Sequence, residues 1–239
     1  MERFAKMVIP SVRIGTSGYS YKWNKGRPTP FTWYVRQGFS SVEINASFYR
    51  FPTESWLKTW LNAPTGFTFS IKVHRSITHY MRMKERSYEL WERFRSLLSP
   101  LENNIDFWLF QLPPDYKYSK ENLQTIQKFI DRTSLRSRAV IEFRNRSWWA
   151  QINDVKNIGV IFCSVDSPDL PRKLIAANGG LYLRLHGSTK WYNSIYSETE
   201  LDNILRKIKR LNAHKSAIYL NNDHGMLKNG LYLLKNLNR

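Results

Sequence analysis

Three short stretches place pairs of ionisable or amide side chains two residues apart: Glu43 and Asn45, Glu142 and Arg144, Arg184 and His186. A spacing of two puts both members on one face of a β-strand. Carboxylates beside guanidinium and imidazole groups are the materials of acid–base chemistry on an anionic substrate. Glu43 or Glu142 would act as general acid or base with His186 as proton partner, while Lys72, Arg144 and Arg184 would clamp the anion. Gln111, Asp166 and Asn221 lie at or just past the ends of other strand-like runs. Tyr19, Trp23, Tyr49 and Trp148 are placed to form an aromatic rim, and His79 stands in a long loop beside His74.

The elements that must carry these residues follow from apolar periodicity. Alternating or apolar runs predict strands at Val12–Thr16, Ser41–Asn45, Phe67–Lys72, Ile105–Leu112, Arg138–Arg144, Gly159–Ser164, Leu181–His186 and Ala217–Asn222. Helical spacing appears between most of them. Thr53 and Ser119 are predicted N-caps, Ser147 is predicted to cap the helix after the fifth strand, and Ser197 with Glu200 forms a capping box. A helix from about residue 85 should turn Leu90, Phe94, Leu97 and Leu98 inward, and the last helix should bury Leu227, Leu231, Leu234 and Leu237.

A strand recurs about every 30 residues with no linker or composition shift, the spacing of a βα unit. The expected fold is α/β, a single (β/α)8 TIM-type barrel over residues 1–239. An open doubly wound sheet is the alternative, but its Gly-rich nucleotide turn is missing, and Gly15–Gly18 is not followed by the GK[ST] of a P-loop. In a barrel, Val42, Ile44, Phe69, Ile71, Trp108, Phe110, Ile141, Phe143, Leu181, Leu183 and Leu185 should face the helices. The opposite parity then sends the polar residues to a common mouth, with Arg13 in a structural place lower down.

With Lys+Arg 37 against Asp+Glu 19, the formal charge is +18, which suits a small anionic substrate or a single-stranded nucleic acid. The single Cys163 excludes an intramolecular disulfide and lies in an apolar run that predicts a buried thiol. No apolar run approaches a membrane span and no apolar leader opens the chain, so a cytoplasmic protein without a membrane partner is expected. A divalent metal held by Glu142, Asp166 and His186 is a further option. The chain has no HxH or HExxH, however, the barrel supplies one histidine rather than two or three, and any other cofactor is left open.

Several motifs together resemble the YecE-like family, a domain of unknown function: IGTSGYSYKW (14–23), VEINASFYR (42–50), ITH (77–79), QLPP (111–114), EFRNRSW (142–148), RLHG (184–187) and NND (221–223). The resemblance spans almost the whole chain. It implies a TIM barrel and no established activity, and it marks Glu43, Asn45, Lys72, His79, Glu142, Arg144, Arg184, His186 and Asn221. The chain departs from the family pattern at RPTP (27–30), where an aromatic-rich FYP is usual, and at Met226-Leu227, where a small residue is usual.

These residues point to a hydrolase or lyase acting on an anionic, phosphate-bearing or nucleic-acid substrate. A glycosidase-like pair of Glu43 and Glu142, or a non-enzymatic basic binding module, are the alternatives. A catalytic Glu142 should tolerate replacement by Gln, whereas one arm of a structural ion-pair network should not.

Overall fold

A computed structural model describes residues 11–211 and 213–237; the expected domain, residues 1–239, and the reading of the chain's first residues extend past that range. Eight parallel strands are present: β1 (Ser11–Thr16), β2 (Ser41–Ile44), β3 (Thr68–Lys72), β4 (Ile105–Leu112), β5 (Ala139–Phe143), β6 (Ile161–Asp166), β7 (Gly180–Leu185) and β8 (Lys215–Leu220). They form one sheet in the order β1-β8-β7-β6-β5-β4-β3-β2, which curls until its two edge strands meet. The result is a (β/α)8 barrel.

The meeting of β1 and β2 is a seam with its own chemistry. Among the described residues one bridge, Ser17 to Glu43, joins the end of β1 to β2. Above it the Gly18 N–H donates to the Glu43 carbonyl at 2.8 Å. Below it the strands approach too closely for a side chain at Gly15, where a Cβ would stand 2.3 Å from the Ser41 oxygen. The Tyr34 hydroxyl fills the gap in the ladder. It accepts from the Thr16 N–H at 3.0 Å and donates to the Ser41 carbonyl at 2.8 Å. Tyr34 is fully buried, stacked on Phe39 with ring centroids 4.6 Å apart. One phenol thus satisfies two backbone groups that water cannot reach.

Seven α-helices lie outside the sheet among the described residues: α1 (Pro30–Arg36), α2 (Glu54–Leu61), α3 (Tyr88–Leu97), α4 (Lys120–Thr133), α5 (Ile152–Asn157), α6 (Glu198–Leu211) and α7 (Met226–Asn236). The connection from β6 to β7 has no helix. Pro168 and Pro171 interrupt it, and Ile175 is instead fixed by its N–H on Ser164 Oγ at 2.8 Å. Thr53 and Ser119 cap α2 and α4, and Glu200 reaches back to the Ser197 N–H at 2.8 Å ahead of α6.

Three expectations need correction. Asn145, not Ser147, caps the turn after β5, and the Ser147 hydroxyl receives the Tyr118 N–H. On α3, Trp91 is buried and Leu97 faces solvent. On α7 the inward face is turned by one residue, to Met226, Asn229, Gly230 and Leu233. Gly230 sits against Phe39, and a Cβ there would come within 2.8 Å of the ring.

Replacing Tyr34 by Phe keeps the packing and removes the bridge across the seam. It should cost about 1–3 kcal/mol, because the Thr16 N–H and the Ser41 carbonyl are left buried and unpaired. A thermal melt should show a drop of roughly 2–4 °C per kcal/mol for a chain of this size. An unchanged melting temperature would mean that the seam does not rely on the phenol.

Candidate functional site

The parity argument turns every second residue of each strand into the barrel, and the upper interior is polar. At its centre the fully buried Arg184 of β7 lies between two carboxylates. Nη2 donates to Glu43 Oε1 at 2.7 Å and Nη1 donates to Glu142 Oε2 at 2.5 Å. Each carboxylate has further donors. Glu43 accepts from Ser17 Oγ at 2.7 Å and from the Tyr182 hydroxyl at 2.7 Å. Glu142 accepts from Arg144 Nε, and the Cys163 thiol points at its other oxygen from 3.9 Å.

Both carboxylates are wholly buried, so charge on them is costly unless compensated. Burial pushes the Glu142 pKa up. Arg144 and Arg184 override it and hold Glu142 below the usual carboxylate range. Burial likewise opposes charge on Arg184, and Glu142 and Glu43 hold its pKa above the ordinary value.

Lys72, at the end of β3, is treated differently. It is only 7% exposed, and its Nζ lies 4.2 Å from the centre of the Phe48 ring. The carboxylates that could neutralise it are paired with Arg184 and Arg144, so Lys72 has no ion-pair partner among the described residues. Burial, then the positive charge of Arg184, lowers its pKa to about 7, against an opposing pull from Glu142 and Glu43.

Two histidines complete the mouth. His186 is fully buried, and burial followed by Arg184 and Arg144 keeps it neutral. Asn221 Nδ2 lies 3.1 Å from Nδ1. An amide nitrogen can only donate, so Nδ1 accepts and the proton sits on Nε2. That Nε2 has no hydrogen-bond partner among the described residues and lies 4.0 Å from Glu142 Oε1. His79 packs edge-on to Phe48 and takes a hydrogen bond with Thr78. Burial, then Lys72 and Arg144, lowers its pKa to about 4.

Arg144 reaches across the mouth. Its Nη2 makes two long contacts of 3.4 Å, to Gln111 Oε1 and to the Tyr192 hydroxyl, and its guanidinium lies 4.5 Å from the Trp191 ring centre. Trp191 and Tyr192 belong to the loop after β7, which folds back through a 2.7 Å bond from the Tyr192 N–H to the His186 carbonyl. The structure therefore gathers Glu43, Glu142, Arg184, Arg144, Lys72, His79, His186, Gln111 and Asn221.

The other expected residues lie elsewhere. Trp148 is fully buried against Phe143 outside the barrel wall, so it is no part of a rim. Asp166 is on the opposite face of β6 from Cys163 and faces Arg172 at 3.6 Å, so it does not converge with Glu142 and His186 on a metal. No cluster of three His, Cys, Asp or Glu side chains among the described residues is arranged to hold a metal ion. Tyr19 and Asn45 line a side cleft of about 290 Å³ with Tyr21, Trp56 and Trp60. Trp23 stacks on Tyr21, and Tyr49 alone of the expected rim is largely exposed, at 60%.

Ser17, Tyr182, Trp191 and Tyr192 escaped the sequence reading. Tyr182 is two residues before Arg184, so the same parity would have found it. The loop pair Trp191-Tyr192 carries no periodic signal.

Fold and site together define a parallel eight-stranded barrel whose mouth is built on a buried ion-pair network. The chain belongs to the family described as protein of unknown function DUF72, whose model matches residues 13–238, and this is the YecE-like family. It is similar to the crystal structure of a DUF72 family protein from Thermotoga maritima, at 28% identity, with a TM-score of 0.83, over 95% of this chain and 99% of that one. Two crystal structures of a DUF72 family protein from Enterococcus faecalis share the fold. One has 21% identity and a TM-score of 0.82 over 96% of each chain. The other has 22% identity and a TM-score of 0.79 over 97% of this chain and 99% of that one. No curated protein matches the chain. Among the described residues no helix is long and apolar enough to cross a membrane.

Because Glu142 holds two arginines, Glu142→Gln should be strongly destabilising, by about 3–5 kcal/mol, through the unpaired cations it leaves behind. This replaces the tolerance expected of a catalytic carboxylate. The depressed pKa fixes the sign of the acid response. The stabilisation from Glu142 is complete above the unfolded carboxylate value of ~4.3 and is lost as pH falls below it. Chemical denaturation of wild type and Glu142→Gln at neutral pH checks the first statement, and near-equal stability would refute it.

Proposed function

We propose that the barrel mouth is the active site of an enzyme, a hydrolase or lyase, that acts on a small anionic substrate. The observation that carries this reading is the charge arrangement. Lys72, Arg144 and Arg184 face Glu43 and Glu142, and both carboxylates are consumed by the arginines. Lys72 thus has no ion-pair partner among the described residues, and Arg144 holds its other partners only at 3.4 Å. An anion would supply what both lack. The overall charge of +18 favours its approach.

The alternatives have less support. A nucleic-acid strand needs exposed stacking platforms, and of the four expected aromatics Trp148 is buried and Tyr19 and Trp23 are half-buried. A glycosidase needs one carboxyl poised to donate a proton, whereas Glu142 is held ionised and Glu43 takes a donor on each oxygen.

Sulfate is a suitable probe because its charge is constant near neutrality. Titration calorimetry should show sulfate affinity falling as pH rises from about 6 to about 8. The sign follows from Lys72, which is charged below its pKa of about 7 and neutral above it. His79 and His186 are already neutral there and add no change. Lys72→Met should weaken binding about ten-fold or more, the worth of one charge-assisted bond, and flatten the pH profile. Binding that ignores both pH and the substitution would place the anion elsewhere. Tight binding of single-stranded DNA at 50 mM salt that collapses ~10³-fold by 200 mM would favour the nucleic-acid reading instead.

A further inference from the structure

We propose that Lys72 is an imine-forming amine and that the substrate is a small anionic aldehyde or ketone of the 2-oxo acid class. This rests on the anion-binding reading above and adds a covalent step to it.

An amine attacks a carbonyl only as the free base, so an imine-forming lysine must shed its proton near neutral pH. Two devices achieve that: removal from water, and a neighbouring positive charge. Both are built around Lys72. It is almost wholly buried, and Arg184 and Arg144 are its cationic neighbours; the Phe48 ring face under its nitrogen favours the ammonium and works against them. Glu43 and Glu142 act in the opposite sense, but each is tied to a guanidinium. The remaining titratable neighbours, His79 and His186, are neutral. A lysine with a purely structural role inside a barrel would be expected to hold a carboxylate. Here the arginines hold the carboxylates, and the amine is left facing the mouth.

The same mouth offers the other parts. The Nη2 of Arg144, with only long protein contacts, can take the substrate carboxylate. The unpartnered Nε2–H of His186 is a buried donor for the carbonyl oxygen. The step balances without an oxidant or reductant. The Lys72 lone pair forms the C–N bond, and the carbonyl oxygen takes up a proton as a carbinolamine hydroxyl. One of the two nitrogen protons is given up at this stage. The hydroxyl then takes up a further proton from solvent, the nitrogen lone pair forms the C=N bond as the C–O bond breaks, and water leaves a protonated imine that keeps the second nitrogen proton. The protonated imine withdraws electrons from the adjacent carbon, so the chemistry it serves is bond cleavage or proton loss at that carbon. This places the enzyme among lyases rather than hydrolases.

The test is reductive trapping. Wild-type protein is incubated at pH 7 with glyoxylate or pyruvate and sodium cyanoborohydride, then analysed by intact mass and peptide mapping. The expected result is a single adduct on Lys72 that forms at least ten-fold faster than on any surface lysine and is slowed by sulfate. Lys72→Arg should lose the adduct. Adducts scattered over surface lysines, with Lys72 no faster and sulfate affinity intact, would overturn the imine and leave the anion site standing. Wild-type protein that binds no sulfate would overturn the anion site and the imine with it. Peptide mapping of wild type alone decides the first point, so the outcome does not depend on whether a variant folds.

Discussion

One guanidinium shared between two buried carboxylates is the constraint on which the rest of this barrel depends. Arg184 is among the largest fully buried side chains, and it sits where water cannot compensate its charge. Glu43 and Glu142 must therefore both be present and correctly aimed. Their own desolvation then calls for Ser17, Tyr182 and Arg144 as additional donors. Removing any charged member strands the others, which is how a polar interior can still specify one packing. The network also decides which group stays reactive. By occupying the carboxylates it leaves Lys72 without an ion-pair partner and the Nε2 of His186 without a hydrogen-bond partner among the described residues.

The site and the closure of the barrel are not separate features. Glu43 binds Arg184 through its side chain and receives the Gly18 N–H through its backbone carbonyl. Ser17 bridges to β2 and donates to the Glu43 carboxylate as well. The seam between the first and second strands is thus held at its upper end by the residues that organise the charges, and at its lower end by Tyr34. This juxtaposition gives a physical reason for the small residues Gly15 in β1 and Ser17 and Gly18 just after it. The backbone must approach β2 closely there, and Gly18 adopts a φ of +91° that favours glycine.

Much of this was legible in the chain because a period of two is a strong signal. Once Val42 and Ile44 face outward, Glu43 must face inward, and the same step places Glu142 and Arg184. Parity does not say which charges pair. Glu43 with Lys72 was as reasonable on paper as Glu43 with Arg184, and only the radial order of the side chains inside the barrel separates them. Parity also fails beyond the strand ends. Trp148 turns from its short helical segment back onto Phe143 rather than toward the mouth, whereas Asp166 was missed through the strand's bounds: β6 runs to Asp166, and parity from the inward Cys163 turns it outward. The one-residue rotation of α7 was hidden because it depends on a tertiary contact, Phe39 against Gly230, that local pattern does not encode.

The central claim is that the ion-pair network leaves Lys72 as a buried, unpaired amine. The direct measurement is its titration by NMR, following lysine side-chain ¹³Cε chemical shifts from pH 5 to 11 with Lys72→Arg for assignment. One resonance should titrate at about 7, well below the model-peptide lysine value of ~10.4. A Lys72 signal that titrates near that model-peptide value would show that its charge is compensated within the protein, and would contradict the claim.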